Sequence, residues 1–191
     1  MLEAKVRGHV LQHTARFFRD ECDPSIALRV NSAISIELRS LLQEISPPAW
    51  YPRQLQVELL NAAALAHGSD EAAQRDFIRC GAKIALADNH FMKLLTKLLT
   101  PELFFRKAER LWDRDNQNSG RLELEAVDAA ARSARLRLCD VGGYAHSSAI
   151  WLGFMKGILD ELSPRGLHIA QHGWSLASPA PDHVVYDVRW S

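Results

Sequence analysis

Cysteine is scarce: the 191 residues hold three, Cys22, Cys80 and Cys139, and no two form a C-x-x-C pair. An odd, scattered set argues against a disulfide framework and a thiolate zinc site, and predicts reduced, mostly buried thiols. No apolar run approaches the roughly 20 residues that a membrane helix requires. The opening Met1-Leu2-Glu3-Ala4-Lys5 lacks the basic segment and apolar stretch of a secretory leader, so the expected location is the cytoplasm. Charge of one sign is missing as well, with 23 Lys plus Arg against 23 Asp plus Glu. Nothing in that balance draws the chain to nucleic acid or to an anionic membrane. Internal repeats and low-complexity tracts are absent. So are G-x-S-x-G, H-E-x-x-H, G-x-G-x-x-G and the P-loop pattern, which leaves no readable catalytic motif.

What is present is an ordinary globular composition, 47% hydrophobic and 24% charged, which predicts one domain over residues 1–191. Its character changes near Gly120. A helical portion is expected over about residues 1–115 and an α/β portion over about 120–191. Val10, Leu11, Ala15, Phe17 and Phe18 suit an amphipathic first helix, and Asp23-Pro24-Ser25 opens a second. Residues 31–44 read as one helix ended by Ser46-Pro47-Pro48. Pro52 fits the first turn of the next, whose stripe Leu55, Leu59, Leu60, Ala63 and Ala64 runs out at His67-Gly68. A long helical stretch follows from Glu71 to about Leu99. Thr100-Pro101-Glu102 then reads as a cap, a first-turn proline and an acid suited to a helix start.

Residues 113–120 hold no apolar side chain and are expected to form an exposed loop. Beyond it, Leu122 and Leu124 alternate with Glu123 and Glu125, and Leu136 and Leu138 with Arg135 and Arg137. That pattern predicts an antiparallel pair with one wet face and opposite charges across it. Gly142-Gly143 leads to a helix from Ala149 to Leu162 that is apolar on most sides, with Gly153-x-x-x-Gly157 for close packing. Strands over 167–177 and 183–190 complete the pattern. The fold class is therefore α+β: a helical N-terminal portion packed on a four-stranded antiparallel sheet in β-β-α-β-β order.

Several short anchors carry a family likeness: Trp50-Tyr51-Pro52, Gly81, Thr100-Pro101, Gly142-Gly143-Tyr144 leading into Gly153 and Gly157, and Val188-Arg189-Trp190. They resemble the superfamily shared by 4-vinyl-reductase domains, haem nitric-oxide-binding domains and vesicle-tethering subunits of Golgi transport. Within or near it, the chain is most similar to a bacterial, chiefly myxobacterial, paralogous family of unknown function. In the haem-binding branch an axial histidine lies on a helix upstream of a proline-containing turn, and His90 stands in a comparable place here. That branch also carries Tyr-x-Ser-x-Arg, which is not found: Tyr144-Ala145-His146-Ser147 lacks the spacing and the arginine. The cysteine-rich lid of the vinyl-reductase branch is missing too, since no cysteine follows Cys139.

Other constellations are weighed by spacing. His9 and His13 are four apart on a helix but have no evident third metal ligand. His168 and His172 share a strand face with Trp174, and Asp182 or His183 stands across the hairpin. His146, Ser147, Ser148 and Asp140 are sequence neighbours without a nucleophile elbow. Trp50, Tyr51, Tyr144, Trp151 and Trp190 join His168, His172 and Trp174 as candidate ligand or interface residues. The leading expectation is a non-enzymatic module of bacterial signalling. It takes a small hydrophobic ligand between helices and sheet, or a protein partner, and needs no cofactor or metal. The alternatives are a haem-based gas sensor using His90, and an enzyme centred on His168, His172 and His183. Related folds suggest a homodimer through an exposed helix or edge strand.

Overall fold

A computed structural model of the protein describes residues 2–87, 99–140, 145–162, 166–173 and 182–191. Helix α1 (Gly8–Asp20) buries Val10, Leu11, Thr14, Phe17 and Phe18, the spacing of one helix face. Helix α2 (Pro24–Ala33) starts on Asp23, whose carboxylate accepts from the Ser25 amide at 2.8 Å. The helix expected over 31–44 starts later than that, because residues 31–33 still belong to α2. Ile34 leaves the helical region, and the Ser35 hydroxyl accepts from the Leu38 amide at 3.1 Å to cap α3 (Ile36–Glu44). A serine that offers its oxygen to a free amide starts a new helix where hydrophobic periodicity alone would run on.

Trp50-Tyr51-Pro52 forms strand β2 (Trp50–Pro52) before Pro52 caps the next helix. The strand pairs antiparallel with β1 (Lys5–Arg7), which also pairs with β3 (Asn116–Gln117). This small sheet, order β2-β1-β3, was not expected from the sequence, because two or three residues are too few to show alternation. Helices α4 (Arg53–Ala66), α5 (Asp70–Ala87) and α6 (Pro101–Asp115) follow. Thr100 caps α6 as expected, its hydroxyl accepting from the Leu103 amide at 3.2 Å.

The exposed loop expected over 113–120 is corrected. Helix α6 runs to Asp115, β3 follows, and Ser119 is buried, its hydroxyl donating to Lys5 O and Gln117 O. The segment is polar for two reasons: Asp113, Gln117 and Asn118 are exposed to water, whereas Asp115 and Ser119 are buried and hydrogen-bonded.

Strands β4 (Arg121–Asp128), β5 (Ser133–Cys139), β6 (His168–His172) and β7 (His183–Arg189) form one antiparallel sheet, order β4-β5-β7-β6. Leu122, Leu136 and Leu138 face the core, while on the wet side Glu125 meets both Arg135 (3.2 Å) and Arg137. A register shift between Leu124 and Ala126 brings Glu125 within reach of both arginines. Helix α7 (Ala145–Leu162) lies between sheet and helices: Tyr186 of β7 donates to Ser148 O at 2.9 Å, and α5 covers its other side. The helical N-terminal portion thus packs on the four-stranded sheet, through a hydrophobic core that includes side chains from both.

The crossing of α5 and α7 leaves no room for side chains. A Cβ on Gly153 would stand 1.9 Å from Ile78 O, one on Gly81 1.9 Å from Ile150 O, and one on Gly157 3.0 Å from the Ala82 Cα. Gly153→Ala is therefore expected to lower unfolding free energy by ~1–3 kcal/mol or more, because backbone cannot step aside, and Gly157→Ala by clearly less. Urea titrations of the two variants test the ranking, and equal losses would contradict the crossing.

Candidate functional site

The seam between the two portions is built from α1, α4, α5, α6 and α7. Arg53 opens α4 straight after Pro52 and is only 2% exposed. It donates to Asn116 Oδ1 at the end of α6 and to Ser147 Oγ on α7 at 2.6 Å. Asp115 next door takes two bonds from Arg114 and faces His9 Nε2 at 3.4 Å. Burial opposes ionisation of Asp115, but His9 and Arg114 outweigh it and hold its carboxyl below the usual range. Three rings close the seam beside this cluster. Trp112 meets Trp151 edge-on at 5.7 Å, and Trp151 stacks on Phe154 at 5.0 Å. The cavity that remains, lined also by Val10, Gln56 and Ile84, is about 40 Å³. Gln56 Oε1 and Trp151 Nε1 are buried there without a hydrogen-bond partner among the described residues.

Of the candidate residues from the sequence, only Trp151 is placed in this seam by the described structure. His90, Tyr144 and Trp174 lie outside the described residues. Trp50 sits on β2 with the Arg7 guanidinium 4.1 Å above its ring, and the Tyr51 hydroxyl accepts from the Ser46 amide at 2.9 Å. Trp190 stacks on Phe105 at 5.4 Å. His168 is exposed opposite Arg189, and His172 is exposed beside Asp187 at 3.2 Å. His183 pairs with Cys139, and no group of three metal-ligating side chains occurs among the described residues. The enzyme expected on His168, His172 and His183 thus has no convergent site there. Nor do the sequence neighbours of α7 form a triad. Ser147 serves Arg53, Ser148 bonds Gln171 at 3.2 Å, His146 lies against Phe77, and Asp140 pairs with Arg121.

Two features escaped the sequence reading. Cys22 donates to Asp76 Oδ2 at 3.5 Å, and Asp76 also meets Arg79 (2.7 Å) and His67 (3.6 Å). Burial, then the Asp76 charge, pushes the Cys22 thiol up to about 12, so this cysteine is no nucleophile. The other is a groove of about 900 Å³ along α1, α2 and α3, floored by Leu59 of α4.

No family model matches the sequence, and no curated protein matches it significantly. Solved structures do. The Fe(II) unliganded H-NOX protein from K. algicida superposes with a TM-score of 0.70 at 9% identity, covering 97% of this chain and 96% of that one. A variant of the T. tengcongensis H-NOX protein gives 0.63 at 11% identity, covering 97% of each chain. An oxygen-binding H-NOX domain related to soluble guanylate cyclases gives 0.60 at 10% identity, covering 95% and 92%. The fold is that of the H-NOX domains.

That finding corrects the expectation of a core without a cofactor. The H-NOX fold spans nearly the whole chain, and its solved examples are described by their Fe(II) state, their bound oxygen or their haem distortion. An apolar core without a polar cluster is no argument against such a group, because haem is largely apolar and needs only one or two protein ligands. As closed here, however, the described seam does not fit haem. Its 40 Å³ is far below the ~300 Å³ from which ligand pockets start, and no imidazole is among its lining residues.

Burial holds the His146 imidazole below its ordinary pKa, and burial does the same to His67 against the pull of Asp76. The unfolded chain then takes up protons first. Stability from these groups is fully present above the ordinary histidine pKa of ~6.5 and is lost as pH falls through the lower folded values. Unfolding free energies are expected to drop on acidification below that point, with a slope shallower by up to about one proton in His146→Phe. An unchanged slope in that variant would count against the burial of His146.

Proposed function

We propose that this chain is a sensory module of a signalling system, and that haem-based gas sensing is the form its fold favours over a purely apolar ligand site. The observation that carries this is the likeness to H-NOX structures over almost the full length of both chains. His90 is the proposed axial ligand, on its place in the sequence before Thr100-Pro101. The reading makes a physical demand: Trp112, Trp151 and Phe154 must part for a porphyrin to enter the seam, or the group must be seated mainly against other residues. The protein partner that receives the signal belongs to the same proposal.

Expression with a haem precursor, followed by absorption spectroscopy, tests it. The expected result is a Soret band that shifts on addition of nitric oxide and is lost in His90→Ala. Trp151→Ala, which removes one wall of the aromatic plug, should raise haem uptake if the seam is the seat. No Soret band in either the parent or Trp151→Ala would refute the haem reading.

A further inference from the structure

The groove on the outer side of the helical portion is separate from the seam and independent of the haem reading. Its deep walls are apolar: Phe18 of α1, Val30 of α2, Ile34, and Leu59 of α4 are buried, and Leu42 of α3 is half-buried. Polar side chains, among them Gln12, Asn31 and Gln43, line it as well. Exposed Leu28 forms an apolar lip there. A cleft of about 900 Å³ is at the upper end of the range for small-molecule sites.

The charge at the rim has one sign in excess. Arg16, Arg19 and Arg39 line the groove against a single carboxylate, Asp20. Asp20 is occupied by Arg19 through two bonds of 2.7 and 2.9 Å. Arg16 makes no direct hydrogen bond among the described residues, although its charge also acts on Asp20. Arg39 donates from Nη2 to Asn31 O at 2.6 Å and to Ile34 O, which fixes its side chain across the α2–α3 turn. A fixed guanidinium next to an aliphatic floor, with donors beyond the Nη2 that Asn31 and Ile34 occupy, suits an acceptor that carries a negative charge.

We propose that this groove binds a long-chain fatty acid, its tail along Phe18, Val30, Ile34, Leu42 and Leu59 and its carboxylate on Arg39. A ligand with many polar groups would leave them unpaired on the apolar floor, whereas a single-headed amphiphile does not. The apolar floor supplies affinity, and the arginine rim selects the charged head.

Calorimetric titration of the haem-free full chain with myristate, below its aggregation threshold, tests this, with 1-tetradecanol as the uncharged analogue. Saturable one-to-one binding of myristate is expected. The alcohol should bind at least about tenfold more weakly, the loss of a charge-assisted hydrogen bond, and Arg39→Met should weaken myristate by a similar factor. Leu42→Trp, which fills the groove, should abolish binding, and Arg137→Met on the sheet should change nothing. If Arg39→Met fails to fold, Arg16→Met and Leu42→Trp carry the test. Absence of saturable binding would overturn the proposal. So would equal affinity for acid and alcohol, or binding indifferent to Leu42→Trp.

Discussion

The contact on which the other packing depends is the crossing of α5 and α7. Three glycines, Gly81, Gly153 and Gly157, let the two backbones touch, so that the carbonyls of Ile78 and Ile150 stand where a methyl group would otherwise be. This brings α7, apolar on most sides, hard against the helical portion while its other face keeps the sheet through Tyr186 and Gln171. A helix held so closely on both sides fixes the spacing of everything else along the seam. Interiors packed at crystal density transmit such a constraint rather than absorb it.

Arg53 works within that spacing. Its guanidinium bonds residues from α6's end and α7's start, so one buried side chain ties three helices together at the place where helical portion and sheet meet. Beside it, Asp115 stays ionised because His9 and Arg114 compensate its desolvation. The aromatic plug of Trp112, Trp151 and Phe154 fills the neighbouring volume. Polar pin and aromatic plug together make the seam narrow. Any ligand entering there must displace rings that stack on each other and leave a hydrogen-bonded arginine undisturbed.

Much of this architecture is legible in the residues. The alternation of Leu122, Leu136 and Leu138 with charged neighbours gives the central hairpin and its wet face. Thr100-Pro101 gives a helix start, and Gly153-x-x-x-Gly157 a close helix contact. The small sheet is not legible, since Lys5–Arg7 and Asn116–Gln117 are strands only because distant segments meet them. Only the start of α3 is hidden, for a local reason, a serine cap inside a continuous hydrophobic period. Arg53 is the larger miss. An arginine after a proline at a helix start reads as surface, yet Arg53, Gln56, Leu60 and Ala63 recur at one face of α4, and all four are buried. A polar pair heading an apolar stripe was the available signal. The expectation of no cofactor rests on the missing Tyr-x-Ser-x-Arg motif, and the likeness to H-NOX structures overturns it.

The groove and the seam are not unrelated parts of the surface. Helix α1 presents Phe18 and Ala15 to the groove and Val10 to the seam, and α4 presents Leu59 to one and Arg53 and Gln56 to the other. A rigid helix that lines two sites on different faces cannot shift at one without moving at the other. Parting the aromatic plug moves α6 or α7 against α1 and α4, and an occupied groove resists displacement of those same two helices. Coupling between the sites, where both are filled, therefore has a specific carrier: the rotation or translation of α1 and α4 as a pair.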